Sequence, residues 1–344
     1  MKTTRRSFLK KSATAAAGTF VLPSFFINAE AHVNTVTGRI SSAEMGIALP
    51  HEHLMVDFIG AKEVSPERYN RKAVIKKVLP YLKKLKAAGC HTLVECTPAY
   101  LGRDAGLMQK LSQKSGIQIL SNTGYYGARN NLFLPNHAFS ETADQLASRW
   151  INEFENGLGG TNIKPGFIKI GVDSGDLSDV HKKLITSACR THLATGLTIA
   201  AHTGTAPGAF DQLEVLENEG VSPEAWIWVH AQNEKDKSLH VLAARRGAWV
   251  EFDGYGEGKE QEYYEMLLYM KQNQMLHRVL ISQDAGWYHV GEEGGGKFKP
   301  FTPLFEKLLP FIMEREFRQE EIEQLVVKNP AEAYQIKIRK SGEG

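Results

Sequence analysis

Cysteine is scarce in this chain, and its few cysteines have no evident way to pair. Only three occur among 344 residues, at positions 90, 96 and 189. Cys90 and Cys96 fall on one predicted strand, and an extended segment of that length spans roughly 20 Å, far beyond disulfide reach. A chain this long buries a large core without disulfides or structural metals. The sequence therefore excludes a disulfide-stapled fold, and a bound metal is expected to serve catalysis.

An excess of one charge is also missing from the body of the chain. The formal net charge is +2, but the first 31 residues carry five basic side chains against one acidic side chain. The remainder holds 36 basic and 38 acidic residues, a net charge of −2. No basic stripe interleaved with aromatic residues occurs, so nucleic acid is excluded as a partner and a small-molecule substrate is expected.

Long apolar runs are missing as well. The apolar stretch at residues 13–27 is too short and too rich in Ala, Gly and Ser to span a membrane. It follows the twin arginines Arg5 and Arg6 and precedes a small-x-small triplet at residues 29–31. This order predicts that residues 1–31 are a signal peptide for the twin-arginine export machinery, giving a periplasmic or secreted protein without a stable membrane anchor. The alternative is a frayed basic tail on a cytosolic protein.

Eight short apolar runs alternate with helical patterns from residue 44 onward. The runs lie at residues 46–53, 91–96, 118–123, 166–170, 198–202, 226–230, 248–252 and 279–283. In the helical stretches, apolar residues recur every three to five positions, as at 74, 78, 82 and 85 and again at 180, 184, 188 and 193. Eight such units predict an α/β fold of the TIM (β/α)8-barrel type, with an open doubly wound sheet as the alternative.

The segments outside these units are expected to close the barrel. Residues 33–43 are predicted to form a short N-terminal strand or hairpin, and residues 319–336 a C-terminal helical cap. No linker divides the body, so residues 32–344 are predicted to be a single domain.

Metal-binding side chains end several of the predicted strands. His51 and His53 end the first strand, and residues i and i+2 of a strand point to the same side. An isolated pair of this kind is more often two unrelated histidines. However, His202, His230 and Asp284 end or follow strands five, six and eight. Because the carboxyl ends of parallel barrel strands meet on one face, these positions predict a shared site there.

Lys169 lies inside the fourth strand, between Ile168 and Ile170. A lysine in such a strand is costly to bury unless something pairs it or changes its charge. It could meet a carboxylate as an ion pair. Alternatively, it could react with carbon dioxide to give a carbamate, an anion able to bridge two metals.

These residues resemble the binuclear phosphotriesterase family of the amidohydrolase superfamily, over most of residues 44–336. The matching pieces lie at residues 49–53, 101–104, 168–171, 201–203, 282–284 and 328–331. The resemblance implies two divalent metal ions, and zinc is expected because imidazole-rich sites suit it. It assigns the more buried ion to His51, His53 and Asp284, and the more exposed ion to His202 and His230. Carbamylated Lys169 and a hydroxide would bridge the two ions.

The resemblance also implies the chemistry. Two neighbouring cations acidify a shared water and supply hydroxide at neutral pH. Asp284 would take the proton of this nucleophile and pass it to the leaving group. Arg103 and Asp104 are expected to form a structural ion pair beneath the site rather than a catalytic pair.

The loop after the third strand resembles the lactonase branch of the family, in which a tyrosine approaches the bridging hydroxide. Tyr126 occupies that position, with aromatic packing under the loop as the alternative. The loop at residues 285–299 is long and rich in Gly and aromatic residues, so Trp287 and Tyr288 are expected to line a hydrophobic substrate pocket. One departure is Gly254, which stands where lactonase-like enzymes have an arginine.

The function expected from these residues is hydrolysis of a small carboxylic ester or lactone, with organophosphate triesters as a side activity. An amidase acting on N-acyl or cyclic amides is the alternative, because the same hydroxide attacks both carbonyls. A non-catalytic exported binding protein is a further alternative, which the complete ligand set disfavours. The sequence leaves open the exact substrate, the metal in vivo and the oligomeric state, a homodimer included.

Overall fold

Residues 31–342 are described by the structure, a computed structural model, and their strands curve around a barrel. The strands are β1 (His32–Thr35), β2 (Gly38–Ser41), β3 (Ala48–Val56), β4 (Thr92–Glu95), β5 (Gln118–Leu120), β6 (Asn122–Thr123), β7 (Phe167–Gly171), β8 (Ile199–His202), β9 (Trp226–Val229), β10 (Trp249–Phe252), β11 (Val279–Ile281) and β12 (Gly286–His289). One parallel sheet has the order β11-β10-β9-β8-β7-β6 and another the order β12-β3-β4-β5. Only Ser121 separates β5 from β6, so the two sheets form one arc. All eight predicted strands are confirmed, the third with a break at one residue.

The strand ladder is not closed between β11 and β3. Instead, β12 pairs with β3, with Gly286 opposite His53. The seam to the last strand is made by isolated bonds: the His51 backbone N donates to Ser282 Oγ at 3.1 Å, and the Asp284 backbone N donates to the His51 carbonyl at 3.3 Å. The fold is the predicted TIM barrel. The contact between its last and first strands includes His51 and Asp284, which belong to the candidate site described below.

Helices cover the outside of the barrel. They are α1 (Arg71–Ala87), α2 (Ala105–Ser115), α3 (His137–Ser140), α4 (Ala143–Asn156), α5 (Asp179–Thr195), α6 (Ala206–Asn218), α7 (Lys237–Arg245), α8 (Glu260–Gln272), α9 (Leu309–Met313), α10 (Gln319–Glu323) and α11 (Asn329–Tyr334), with π-helical turns at Leu304–Leu308 and Gln324–Lys328. α1 begins where the Asn70 side chain accepts hydrogen bonds from two backbone N–H groups of the first turn. It buries the apolar face predicted for it, at Val74, Val78, Leu82 and Leu85.

The two ends of the described chain close one end of the barrel. β1 and β2 form the hairpin predicted for residues 33–43, and α10, the second π turn and α11 form the cap predicted for residues 319–336. The Asn329 amide donates to the carbonyls of Leu276 and Val279 at 2.9 and 2.6 Å, which fixes the cap beneath β11. Both predictions are confirmed.

The predicted signal peptide, residues 1–31, lies outside the described residues apart from Ala31, so it stays a prediction. All three cysteines are free and buried, as expected. No helix between residues 31 and 342 is both long enough and apolar enough to cross a membrane.

Candidate metal centre

All six side chains predicted as metal ligands line one cavity of about 180 Å³ at the carboxyl ends of the barrel strands. They are His51, His53, Lys169, His202, His230 and Asp284. The first and last of them are 233 positions apart in the chain, so only the curvature of the strand arc brings them together. The face of the barrel is the one that the sequence predicts.

His51, His53 and Asp284 form the tightest group. His53 Nε2 lies 3.1 Å from Asp284 Oδ1, and His51 Nε2 lies 3.9 Å from the same oxygen. Each residue offers one ligand atom, and these atoms lie within 4.8 Å of one another, close enough to hold one metal ion. The i, i+2 spacing along β3 and the end of the last strand therefore meet as the sequence predicts.

Hydrogen bonds orient the two rings of this group. The Thr97 hydroxyl donates to the Met55 carbonyl at 3.1 Å, so it is free to accept from His53 Nδ1, which lies 2.8 Å away. His51 Nδ1 lies 2.9 Å from Glu251 Oε2 and 3.2 Å from Asp253 Oδ2. Carboxylate and hydroxyl partners of this kind fix the tautomer of a ligating imidazole. Both rings therefore present Nε2 to Asp284.

His230 and His202 lie beside this group. The ring centroids of His230 and His202 are 4.5 Å apart, and that of His230 is 5.1 Å from His51. His230 Nδ1 lies 2.6 Å from Asp253 Oδ1, and the His230 backbone N donates to Asp253 Oδ2 at 3.0 Å. Asp253 also accepts from the Gln232 amide at 2.8 Å. A carboxylate with this many donors orients the imidazoles better than it could serve as a ligand itself.

Glu251 and Asp253 are functional residues that the sequence analysis missed. Both are fully buried, and they follow the i, i+2 spacing at the end of β10. The sequence did contain a signal for them: two acidic residues lie on the same side of an otherwise apolar strand, at its end. Their partners could not have been named, because these belong to strands that are distant in sequence.

Lys169 is 2% exposed, and its Nζ has no hydrogen-bond partner among residues 31–342. No ion pair within residues 31–342 includes Lys169. The alternative prediction, an ion pair between Lys169 and a carboxylate, is therefore wrong for the described residues. Asp284 Oδ1 is likewise buried, and although His53 Nε2 lies 3.1 Å from it, the pair does not have hydrogen-bonding geometry. Buried polar atoms in a native fold normally have partners. A metal site without its ions would leave such polar atoms without partners beside the four imidazoles. The six side chains therefore fit metal cations.

The electrostatics favour neutral imidazoles at His51, His53 and His202 and an ionised carboxylate at Asp284. Burial, and then the charge of Lys169, lower the pKa of His51 to about 3. Burial also lowers the pKa of His53 and that of His202. Burial acts in the same direction at His230, but the adjacent Asp253 carboxylate outweighs it and raises that pKa. Burial raises the pKa of Asp284, but the neighbouring His53, His51 and His230 together hold that pKa below its ordinary value. Neutral imidazoles and a carboxylate are the protonation states that bind divalent metals.

Two of the site residues hold a left-handed backbone. The φ angles of His230 and Asp284 are 63° and 47°. Residues other than glycine rarely adopt this region, and such conformations persist where the surroundings enforce them, often at functional sites.

Glu52, between the two histidines of β3, points away from the cavity and holds the backbone around Asp284. Its carboxylate accepts from Ser282 Oγ at 2.8 Å, from the Gln283 backbone N at 3.1 Å and from the Ala285 backbone N at 2.7 Å. These bonds reach the residues on both sides of Asp284. Glu52 is therefore a positioning residue for a strained ligand position.

Replacing Glu52 by glutamine is expected to weaken metal binding by about 10- to 100-fold, the usual effect of losing an outer partner of a ligand. The amide has one acceptor oxygen, so it cannot accept all three bonds. Competition with a metal-buffering chelator measures the affinity. Glu153→Gln is the control, since Glu153 is a part-buried carboxylate bound to Arg103 and Thr123. Equal affinity in Glu52→Gln and the parent protein would contradict the positioning role.

The structure separates the three residues expected to contact substrate. Tyr126 and Trp287 line the cavity, with ring centroids 5.0 Å from His202 and 3.9 Å from His53, respectively. Tyr288 is not among the lining residues and packs into the hydrophobic core, which corrects that expectation. The φ angles of Gly286 and Trp287 are 95° and 73°, so the backbone is not extended at this point, and the Trp287 ring faces the cavity while Tyr288 faces the core.

Four further lining residues carried no sequence signal. They are Phe58, Cys96, Leu101 and Arg129. Phe58 and Arg129 lie in loops, where no hydrophobic period indicates which side chains turn inward.

Arg103 and Asp104 do not pair with each other, contrary to expectation. The Arg103 guanidinium donates to Glu153 at 2.5 Å, and Arg71 donates to Asp104 at 2.6 Å. Asp104 also caps α2 by accepting from the Leu107 backbone N. Neighbouring residues at the start of a helix point in different directions, so each finds its own partner.

Comparison with known proteins agrees with this geometry. The phosphotriesterase family model matches residues 31–334. The phosphotriesterase homology protein of Escherichia coli is 27% identical over 295 residues, covering 84% of this chain and 98% of that protein. An aryldialkylphosphatase of Saccharolobus solfataricus is 26% identical, covering 85% and 95%. An N-acetyltaurine hydrolase of Mus musculus is 23% identical, covering 87% and 96%. The chain belongs to the phosphotriesterase family, whose members are metal-dependent hydrolases.

Proposed function

We propose that this protein is a binuclear metal-dependent hydrolase of the lactonase-like branch, which cleaves a small carboxylic ester or lactone, with organophosphate triesters as a side activity. The observation that carries the proposal is the convergence of four imidazoles, one carboxylate and one unpaired lysine on the floor of a single cavity. The aromatic ring of Trp287 lies beside His53 at the edge of this group of residues. A bound substrate would lie against this ring and next to the candidate metal ligands.

In this proposal His51, His53 and Asp284 hold one divalent ion, and His202 and His230 hold the other. Zinc is the expected metal, because the donor set is rich in imidazole. Two such ions acidify a water molecule and polarise the oxygen of a bound carbonyl or phosphoryl group. Lys169, as a carbamate, would supply an anionic ligand to both ions. The isolation of its Nζ among the described residues supports this, because none of them gives a buried ammonium a hydrogen bond or an ion pair.

The remaining residues position the substrate and move a proton. Asp284 is held ionised, so it can accept the proton of the attacking water and pass it to the leaving group. Tyr126 lies in the wall next to His202, where its hydroxyl would contact the bound substrate. The ring of Trp287 is fixed by its Nε1, which donates to the Asp284 carbonyl at 2.7 Å. It offers an apolar face to an acyl chain or a ring.

Amide hydrolysis is the second candidate. Several relatives that match across nearly their whole length are N-acetyltaurine hydrolases, which supports an N-acyl amide as a substrate for this cavity too. The departure at Gly254 removes the arginine expected of lactonase-like enzymes, which also favours testing amides beside lactones.

Purified protein is expected to hold about two divalent ions per chain and to lose its hydrolase activity when a chelator removes them. Elemental analysis measures the ions, and a panel of lactones, aryl esters, N-acyl amino acids and an organophosphate triester measures the activity before and after zinc is restored. Trace metal only, together with turnover that a chelator leaves unchanged, would refute the binuclear proposal. Turnover of the amides alone would replace the ester assignment by the second candidate.

A further inference from the structure

Arg129 brings a cation to the wall of the cavity. It lies in the loop after β6 and lines the same cavity as the six donor residues. Its guanidinium carbon lies 5.3 Å from the ring centroid of Phe58 and 5.9 Å from that of Phe133. Phe58 in turn stacks on Trp287 at 5.7 Å, and Trp287 lies against His53. A continuous aromatic surface thus connects the guanidinium to the candidate metal centre.

The loop holds Arg129 in a costly backbone conformation. Arg129, Asn130 and Asn131 have φ angles of 61°, 56° and 62°. The backbone N–H groups of Arg129 and Asn130 donate to the carboxylate of Asp173, at 2.6 Å for the shortest bond. Asparagine tolerates this region but arginine rarely adopts it, so the bonds to Asp173 help to hold Arg129 in this conformation.

The Arg129 guanidinium has no carboxylate partner in residues 31–342. Asp173 accepts from backbone groups, and no ion pair of the described residues includes the Arg129 side chain. The other charged side chains of the cavity are Lys169 and Asp284, both on the floor with the donor set. Arg129 is therefore a cation at the exposed rim, with its fork of N–H donors free to bind an anion from solution.

We propose that the substrate carries a carboxylate that pairs with Arg129 while its scissile bond lies at the metal centre. This inference rests on the proposed hydrolase function and names the class of its substrate: small monoanionic esters or amides, such as N-acyl amino acids or half-esters of dicarboxylic acids. A planar carboxylate matches the planar guanidinium with two parallel hydrogen bonds. Cation–π contacts with the rings of Phe58 and Phe133 restrict the guanidinium in advance, so less side-chain entropy is lost when the anion binds.

A matched pair of substrates tests the inference. The 4-nitrophenyl half-ester of succinic acid and 4-nitrophenyl pentanoate share a leaving group and have acyl chains of similar length, but only the first is an anion. The metal-loaded protein is expected to prefer the half-ester in kcat/KM. Arg129→Met, which keeps the apolar stem, is expected to reduce this preference by about 10-fold or more, mainly through KM, because hydrogen bonds to charged groups are the strong ones.

Two controls accompany this variant. Arg315→Met removes a different exposed guanidinium that also stacks on a phenylalanine, at 3.3 Å from the Phe311 ring centroid, and should leave the preference unchanged. Binding of 4-oxo-4-phenylbutanoate, a ketone that the enzyme cannot hydrolyse, is measured by calorimetry and should weaken in Arg129→Met only. This second readout does not depend on turnover.

The outcomes separate the inference from the function on which it rests. If neither nitrophenyl ester nor any amide is hydrolysed with metal bound, the proposed function fails. If pentanoate is hydrolysed but the half-ester is not preferred, the function stands and the inference is overturned. A preference that survives in Arg129→Met also overturns it, since the carboxylate would then be recognised elsewhere, as by the metal centre itself.

Discussion

Lys169→Ala is expected to lose at least about a thousandfold in kcat/KM and much of the bound metal. The ordinary lysine ammonium is disfavoured beside two dications, by several kcal/mol for each like-charge contact at an effective dielectric near 20. As the proposed carbamate, the same side chain would be an anion that supplies oxygen ligands to both metals. Its removal would then take a ligand from each ion, and a thousandfold loss of rate corresponds to several kcal/mol of lost transition-state stabilisation. Steady-state kinetics and elemental analysis of the same preparation measure both effects.

Chemical rescue separates a bridging anion from a simple packing role. Acetate or propionate added to Lys169→Ala should restore part of the activity and part of the metal, because a short carboxylate fits the space and supplies the missing oxygens. Lys169→Arg is the matched control. Its guanidinium fills the space and keeps a positive charge, so the same acids should restore nothing. Full turnover and full metal content in Lys169→Ala would show that the lysine has no part in the metal centre.

Asp284→Asn is expected to reduce kcat by about a thousandfold while it keeps the fold. Asparagine tolerates the left-handed backbone that Asp284 adopts, with φ at 47°, so the substitution adds little strain. The amide keeps one oxygen for metal binding but loses the charge and cannot accept a proton. Loss of both a metal ligand and the proton acceptor reduces the stabilisation of the transition state by several kcal/mol. Kinetics and the unfolding temperature of the metal-loaded variant measure the result.

Asp253→Asn is the comparator for this variant. Asp253 is a fully buried carboxylate that contacts His51 and His230 and does not line the cavity. The same chemical change there should weaken metal binding by about 10- to 100-fold, with kcat recovering at saturating zinc. In Asp284→Asn, saturating zinc should not restore kcat. Recovery in both variants would leave Asp284 as a metal ligand only, with the proton accepted elsewhere.

The sequence by itself determined the barrel and the donor set. Eight apolar runs of strand length, separated by amphipathic helices, have few alternatives to a closed parallel barrel. Parallel strands place their carboxyl ends on one face, so His202, His230 and Asp284 could be assigned to the site without coordinates. The i, i+2 spacing along a strand added His51 and His53, because this periodicity is a local property of the backbone.

Lys169 could also be recognised early, because an apolar strand gives a lysine no local partner. The sequence left open whether a distant carboxylate would supply one. The structure decided this, since within residues 31–342 its Nζ has no partner. Whether an ion pair forms depends on which strands are neighbours and on which way their side chains point. Neither the amino-acid composition nor the hydrophobic periodicity determines these two features.

Only the tertiary structure decided how the donors are held. Glu52 bonds to Ser282 across 230 positions, and His51 lies beside Glu251 across 200, so no local pattern joins them. The backbone is left-handed at Arg129, in a loop, and at Trp287, in β12, and this conformation affects the direction of each side chain. Arginine and tryptophan rarely adopt that region, and at Arg129 a hydrogen bond to the distant Asp173 carboxylate holds the backbone in place. The identity of the ligands is thus a property of the strands, whereas their orientation and the substrate wall are properties of contacts between them.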